Sequence, residues 1–392
     1  MKIERYQACK ASEVTWLGDV SEHWEEKRIK DLSFLQSGIN LTSEQIEDIE
    51  KYPVYGGNGL RGYFSKYTNE GDYILIGRQG ALCGNINYAS GKFWATEHAV
   101  VVYLKRFVHV KWYGEMLRVM NLNQHSLSAA QPGLSVDRIK RLLLFVPPIS
   151  EQKSIALYLD NKTAQIDRKV DLLTQKAKLY ADLKQSLINE TVTRGRDRSV
   201  PMKDSAIEWI GEVPEHWEIK HLKSLAEIKG GKDSKEVELE EGEYPIYGSG
   251  GIFGRASKYL HEKPSVLLGR KGTIDKPLFV TKPFWSVDTM FYTEIKNGIY
   301  PKFFYYQCLT IQFGLYQYGS AVPSMAQNVL RQILFATPPL SEQKEIATYL
   351  DTKTAQIDQI IQTINTQIEK LKELRKTLIN DVVTGKIKVT ED

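Results

Sequence analysis

Cysteine is scarce in this 392-residue chain: Cys9, Cys83 and Cys308 are odd in number, far apart and without a C-x-x-C pair. That argues against a disulfide framework and against a structural zinc site. The seven histidines, His23, His98, His109, His125, His216, His221 and His261, show no H-E-x-x-H or similar ligand spacing, so no metal centre is indicated. Long apolar runs are missing as well. Nothing approaches the roughly 18 consecutive apolar residues of a membrane span, and the opening M-K-I-E-R-Y-Q-A-C-K lacks the apolar core of a signal peptide. The expectation is a cytoplasmic chain without membrane contact. There is also no G-x-x-x-x-G-K-[ST] phosphate loop.

What the chain has is a repeat of itself. P-P-I-S-E-Q-K-S-I-A-L-Y-L-D-N-K-T-A-Q-I-D runs from Pro147 to Asp167, and P-P-L-S-E-Q-K-E-I-A-T-Y-L-D-T-K-T-A-Q-I-D from Pro338 to Asp358. Paired prolines stop the preceding segment, and Ser150 and Ser341 are placed to cap a following helix. Ile155, Leu159, Ile166, Val170, Leu173, Ala177 and Tyr180 recur at mostly three- and four-residue steps, with Thr163 filling a gap and Leu183 and Leu187 continuing the face. Ile346, Leu350, Ile357, Ile361, Ile364, Ile368 and Leu371 match it in the second copy. A stripe of about five heptads bordered by Lys, Asp, Glu and Gln is what a coiled-coil seam requires. Two such helices bury both seams most directly against each other, and the long intervening segment allows an antiparallel pair. A helix from Ser150 to Thr193 would be roughly 65 Å long at about 1.5 Å per residue, the dimension of a spacer.

Net charge is only +4, but it is unevenly divided. Residues 1–50 hold 6 Lys/Arg against 11 Asp/Glu, and residues 51–146 hold 12 against 5. The second half repeats the pattern, with 6 against 12 in residues 200–243 and 10 against 4 in residues 244–337. Two separated basic blocks point to two polyanion-binding surfaces.

Each half opens on matched tryptophans, Trp16 and Trp24 in the first and Trp209 and Trp217 in the second, which read as core or docking anchors. Glycine-rich turns follow in Tyr52-Pro-Val-Tyr-Gly-Gly-Asn58-Gly and Tyr244-Pro-Ile-Tyr-Gly-Ser249-Gly-Gly, then Ser65-Lys66-Tyr67 and Ser257-Lys258-Tyr259. Asp72-Tyr-Ile-Leu-Ile-Gly77-Arg78-Gln79-Gly80 and Ser265-Val-Leu-Leu-Gly269-Arg270-Lys271-Gly272 each give a short buried strand running into G-R-x-G. A glycine-flanked arginine at a strand end can project its planar, five-donor guanidinium at a phosphate or a guanine edge while the glycines let the backbone approach. Arg78, Gln79, Arg270 and Lys271 are therefore candidate DNA contacts, with Asn58, Lys66, Ser249 and Lys258 beside them. His98, without a histidine counterpart, reads as a local hydrogen-bonding residue. Strands are expected at 99–104, 290–295, 142–146 and 333–336, and helices around 111–122 and 302–313.

With P-P-[IL]-S-E-Q-K-x-I-A-x-Y-L-D present twice, and the Trp openings and G-R-x-G in each half, the whole chain resembles the specificity subunit of type I restriction-modification systems. The resemblance implies α+β architecture, with mixed α/β target recognition domains at 1–146 and 200–337. Conserved helical regions at 147–199 and 338–392 would form the antiparallel coiled coil. It implies that each domain reads one half of a bipartite double-stranded DNA site and that the spacer fixes the unread gap. It implies an adaptor, not an enzyme: two modification subunits would bring S-adenosylmethionine, and restriction (motor-nuclease) subunits would bring ATP and Mg2+. Modification subunits would dock on the helical regions, where Lys176, Lys178, Lys370 and Lys372 lie off the seam. The proline pairs, set in V-P-P-I and T-P-P-L, lack the Asn/Asp-Pro-Pro-aromatic setting of amino-methyltransferases, and no catalytic residue is nominated. Two readings from other classes are a self-contained restriction or modification enzyme, for which the length leaves no room, and a protein-binding coiled-coil scaffold, which leaves the basic blocks unexplained.

Overall fold

Immediately after each proline pair the chain turns into a long helix, Ile149–Arg194 and Leu340–Val383. The computed structural model describes residues 2–390 apart from 13, 15, 81, 127–132, 320 and 321. It divides into one unit of residues 1–173 with 367–392 and a second of residues 174–366. Each unit thus holds a globular region, the near part of one long helix and the far part of the other.

In the first unit the apolar run Tyr73–Gly77 is a central strand of an antiparallel sheet ordered 86–89, 73–77, 99–104, 33–37. Its alternate side chains go to opposite faces. Ile74 and Ile76, with Val100 and Val102, pack under Trp112, Met116 and Leu117 of the helix Val110–Val119. Leu75 and Val101 pack against Phe93 of a second sheet. That sheet is ordered 59–64, 52–56, 92–95, 69–70, with 92–95 running parallel to 52–56 and Trp94 opposite Val54. Burial on both faces is why the strand reads as a continuous apolar run. Strand 143–146 closes the region on 25–28, and Lys2–Glu4 pairs with Lys388–Thr390.

The second unit repeats the plan. One sheet is ordered 226–230, 290–295, 265–269, 278–280, and the other 251–256, 244–248, 285–286, with 285–286 parallel to 244–248. Strand 334–337 closes on 218–221. The strands expected at 99–104 and 290–295 match, while the two short helices end early, at Val119 and Cys308.

The S-E-Q-K segment makes the corner between globule and helix in both units. Gln152 and Gln343, each only 1% exposed, have their amides fully used. Gln152 Oε1 accepts from His109 N at 2.8 Å, and its Nε2 donates to Pro147 O at 2.9 Å and Phe107 O at 3.3 Å. Gln343 accepts from Tyr300 N at 2.8 Å and donates to Pro338 O at 2.9 Å and Gly298 O at 3.2 Å. A buried amide satisfied at every position fixes geometry at little desolvation cost. The preceding glutamates receive the tryptophan openings: Glu151 accepts from Trp24 Nε1 at 3.3 Å and pairs with His23 Nε2 at 2.8 Å. Glu342 accepts from Trp217 Nε1 at 3.1 Å and pairs with His216 Nε2 at 2.9 Å. Tyr6 adds its hydroxyl to Glu151. Burial and that carboxylate push the phenol far above its ordinary range, so it stays a donor.

Within each unit the helices run antiparallel. In the first, Ile155 and Leu159 share a core with Ile379, Val382 and Val383, and Asp167 pairs with Arg375 at 2.9 Å. In the second, Ile188 and Val192 pack with Ile346 and Leu350, and Lys184 pairs with Asp358 at 2.6 Å. The expected stripe is buried or half-buried throughout except at Leu183, which is 54% exposed. Ser150 and Ser341 are not caps. Both helices begin one residue earlier, and the second proline of each pair supplies the first accepting carbonyl, to Gln152 N and Gln343 N. Prolines can hold that place because a helix's first carbonyls, not its first amides, need partners within it.

Ile357 is buried and Ile166 only half-buried. Ile357→Lys should therefore cost about 3–5 kcal/mol for an unpaired charge in a desolvated seam, and Ile166→Lys clearly less, because its ammonium can reach water. Thermal and denaturant unfolding of both variants checks the order; wild-type stability in Ile357→Lys would show that the seam is not packed there.

Candidate nucleic-acid interface

Two glycine-rich turns meet at one rim of the first unit. Strands Tyr52–Gly56 and Gly59–Phe64 are joined through Gly57 and Asn58, and this hairpin end lies directly on the end of strand Tyr73–Gly77. A Cβ on Gly77 would collide with the Gly57 carbonyl, and one on Gly57 would come 3.0 Å from His98 O and 3.4 Å from Gln79 O. The glycines are there because the backbones touch. Arg78 N donates to His98 O at 2.8 Å and Arg78 O accepts from Leu134 N at 2.9 Å, so its backbone is fixed on both sides. Its guanidinium is half-buried and donates to Ser37 Oγ at 3.2 Å. Asn58 and Gln79 are exposed on the same rim. Gln79 also bridges to Gly133.

The second unit builds a similar rim with a different contact, since a Cβ on Gly269 would collide with Thr273 O of its own turn and the hairpin is met at Gly272 instead. Arg270 N and Lys271 N donate to Thr289 O at 2.8 and 3.2 Å, and Arg270 O accepts from Met325 N at 2.8 Å. The Arg270 guanidinium donates to Asp288 O at 3.3 Å and lies 5.8 Å from the Phe291 ring centroid, a cation–π distance. Ser249 Oγ stands 3.0 Å from where a Gly272 Cβ would be, which brings Ser249, Arg270 and Lys271 together. Lys66 and Lys258 are exposed, but each follows the strand end farthest from its hairpin turn, beyond the Tyr52–Phe64 and Tyr244–Ala256 pairs. They are not part of the rim cluster.

A third strip of each rim escaped the sequence reading. A Cβ on Gly38 would collide with the carbonyls of Ala95 and Thr96, and one on Gly231 with those of Ser286 and Val287. Trp94 Nε1 donates to Ile39 O at 3.0 Å, and Trp285 Nε1 to Lys232 O at 3.0 Å. The available signal was S-G-I-N against G-G-K-D at nearly matching distances before the hairpins. His98 acts locally as expected, its Nε2 lying 3.1 Å from Glu97 Oε1. Among the described residues no group of three His, Cys, Asp or Glu side chains could hold a metal ion, and no helix is long and apolar enough to cross a membrane. What the two rims offer is backbone brought close to a surface, an arginine on each, exposed amides on one, and an exposed ammonium group with a half-buried hydroxyl on the other, in two basic blocks. This is chemistry for phosphates and base edges rather than for bond making.

The type I restriction modification DNA specificity domain matches the chain twice, over residues 21–177 and 214–370, and the chain belongs to that family. Each match covers one rim, one corner and the start of one long helix. The chain is 44% identical over 138 residues to the EcoprrI specificity subunit of Escherichia coli, a stretch covering 34% of each. It is 24% identical over 419 residues, 94% of each, to the MjaVIII specificity subunit of Methanocaldococcus jannaschii. A solved chain described under complex assembly and conformational transition of the type I R-M system shares the fold with a TM-score of 0.74, at 14% identity over 93% of this chain and 98% of that one. The HsdS subunit of Thermoanaerobacter tengcongensis gives a TM-score of 0.53 at 15% identity, over 94% and 98%.

Because Gly77 abuts the Gly57 carbonyl, Gly77→Ala should separate the two turns and destabilise the chain by about 1–3 kcal/mol. Gly250→Ala, with open space around it, should be nearly silent. Unfolding midpoints of the two variants make the comparison; equal stability would mean that the turns are not in contact.

Proposed function

We propose that this chain reads a bipartite double-stranded DNA site, one half-site for each recognition domain (1–146 and 200–337). The helical regions (147–199 and 338–392) would hold the two domains at a set separation and carry the partner surface. The observation that carries this reading is a similar glycine-built rim made twice, each in a basic block and each presenting an arginine between fixed backbone bonds. The role is specificity and not catalysis, in keeping with relatives that are named specificity subunits. Methyl transfer with S-adenosylmethionine then belongs to two modification subunits, and ATP- and Mg2+-dependent translocation and cleavage to restriction subunits. This chain needs no cofactor of its own and works in the cytoplasm, where its DNA is.

Partner docking on the helices is supported by side chains that the antiparallel packing leaves out. Lys176, Lys178, Lys370 and Lys372 are exposed, and so are Leu157, Leu172, Leu179 and Leu374. Exposed leucines on a charged helix are where a partner gains most from covering the surface.

Binding of a duplex carrying the site, first identified by adenine-methylation footprint, should separate the two arginines. Arg78→Ala should impair one half-site only and Arg270→Ala the other. Loss of a phosphate contact lowers the salt slope by about one counterion for all sequences, whereas loss of a bidentate guanine contact costs roughly 1–3 kcal/mol and relaxes a single base position. Wild-type affinity and slope in both variants would leave Arg78 and Arg270 as turn residues only.

A further inference from the structure

Each hairpin of the rim carries a β-bulge at the same place. In the first unit the pairing steps from Val54 opposite Gly62 to Tyr55 opposite Leu60, so Arg61 is the residue left without a partner across the hairpin. In the second it steps from Ile246 opposite Gly254 to Tyr247 opposite Ile252, which leaves Phe253. A bulge turns its extra residue out of the strand's alternation and re-aims the side chain. Both side chains end over the first glycine of the turn: a Cβ on Gly56 would come 2.5 Å from Arg61 Cδ, and one on Gly248 3.2 Å from Phe253 Cε1. One backbone device therefore presents two different side chains, each on the hairpin whose turn meets the arginine-bearing turn, that of Arg78 in one case and of Arg270 in the other.

The surroundings differ in part. Under Arg61 lies Thr96, fully buried, whose Oγ1 has no hydrogen-bond partner among the described residues, and nearby Asn87 has its Nδ2 unpaired. In the second unit Leu278 stands where Asn87 does, while the hydroxyl beside the bulged residue is kept: Thr289 Oγ1 lies 3.6 Å from where a Gly248 Cβ would be, as Thr96 Oγ1 does from a Gly56 Cβ. Arg61 is exposed, and its guanidinium donates to Ser43 Oγ at 3.3 Å. Phe253 is 57% exposed and its neighbour Ile252 61% exposed, at the tip of a hairpin inside a basic block. Large apolar side chains are not stabilised by facing water, and the apolar group that distinguishes one base pair from another in the major groove is the thymine methyl.

We infer that the bulged residue is the position at which the two domains diverge in what they read. Arg61 takes the paired acceptors of a guanine edge in the major groove, and Phe253, with Ile252, takes a thymine methyl. The inference rests on the DNA-reading function proposed above. Its test uses the full chain with its modification subunit, acting on a pool of duplexes in which both half-sites are randomised, with methylated products sequenced. Arg61→Ala should lower the preference at one base pair of one half-site by about tenfold or more. Phe253→Ala should do the same at one base pair of the other. Arg61→Lys, a point charge without the fork, should also lose the preference, whereas Phe253→Leu should keep most of it. A wild-type complex that yields no bipartite motif overturns the function and the inference together. A wild-type motif retained unchanged in both alanine variants overturns the inference alone. So does a uniform loss at every position of both half-sites, the mark of a purely structural role; unchanged thermal unfolding of the variants accompanies the expected result.

Discussion

A buried glutamine one turn into each long helix holds this molecule's parts in register. Gln152 and Gln343 each tie three segments of the fold together: the helix start, the segment leading into the short helix of the globule, and the proline-ended closing strand. The glutamate before each glutamine fastens the tryptophan that opens the region. Because an amide with all its bonds made cannot shift without orphaning one of them, the rim's angle to its helix is set here. The glycines that end the helices complete the arrangement. Gly385 packs on Trp24 and Gly195 on Trp217, both at positive φ, so each tryptophan sits between the start of one helix and the end of the other.

This explains how the two copies could be kept alike in one part and unlike in another. Helices, corners and glycine contacts are bound by close packing and by hydrogen bonds that no other residue type would satisfy. The rims are bound mainly through their backbone, with the Trp94 and Trp285 indoles and the Arg78 and Arg270 guanidinium groups adding single bonds. Their outward side chains, Arg61 against Phe253 and Gln79 against Lys271, with Asn58 where the second copy has only Gly250, touch little that depends on them, so a scaffold of fixed geometry can carry two sets of contacts.

Much of this was legible in the residues. Repetition exposed the duplication, periodicity the helix pair, and apolar runs ending in G-R-x-G the central strands and the rim arginines. Other features were out of reach for physical reasons. Ser150 and Ser341 looked like caps because serine caps well, but a backbone carbonyl from the neighbouring proline took the place and moved each helix start back by one residue. Leu183 fitted the stripe by spacing and still faces out, although Lys184 beside it pairs with Asp358 in the middle of the other helix; spacing says which residues share a face and not how that face is turned toward its neighbour. Gln152 and Gln343 stood in the most repeated motif without a role, because their partners are backbone atoms up to 45 residues away. Arg61 and Phe253 carried no signal at all: a bulge is a property of two strands' register, and neither strand announces it alone.

The central claim is that two interchangeable readers hang on one repeated scaffold, and it is tested most directly by making the readers identical. A chain in which residues 25–146 are replaced by residues 218–337, joined at the equivalent closing strands, keeps both corners and both helices. With its modification subunit it should methylate an inverted repeat: two copies of the half-site read by the second region, separated by the wild-type gap. Retention of the original asymmetric motif, or one identical half-site beside an unrelated one, would contradict the account.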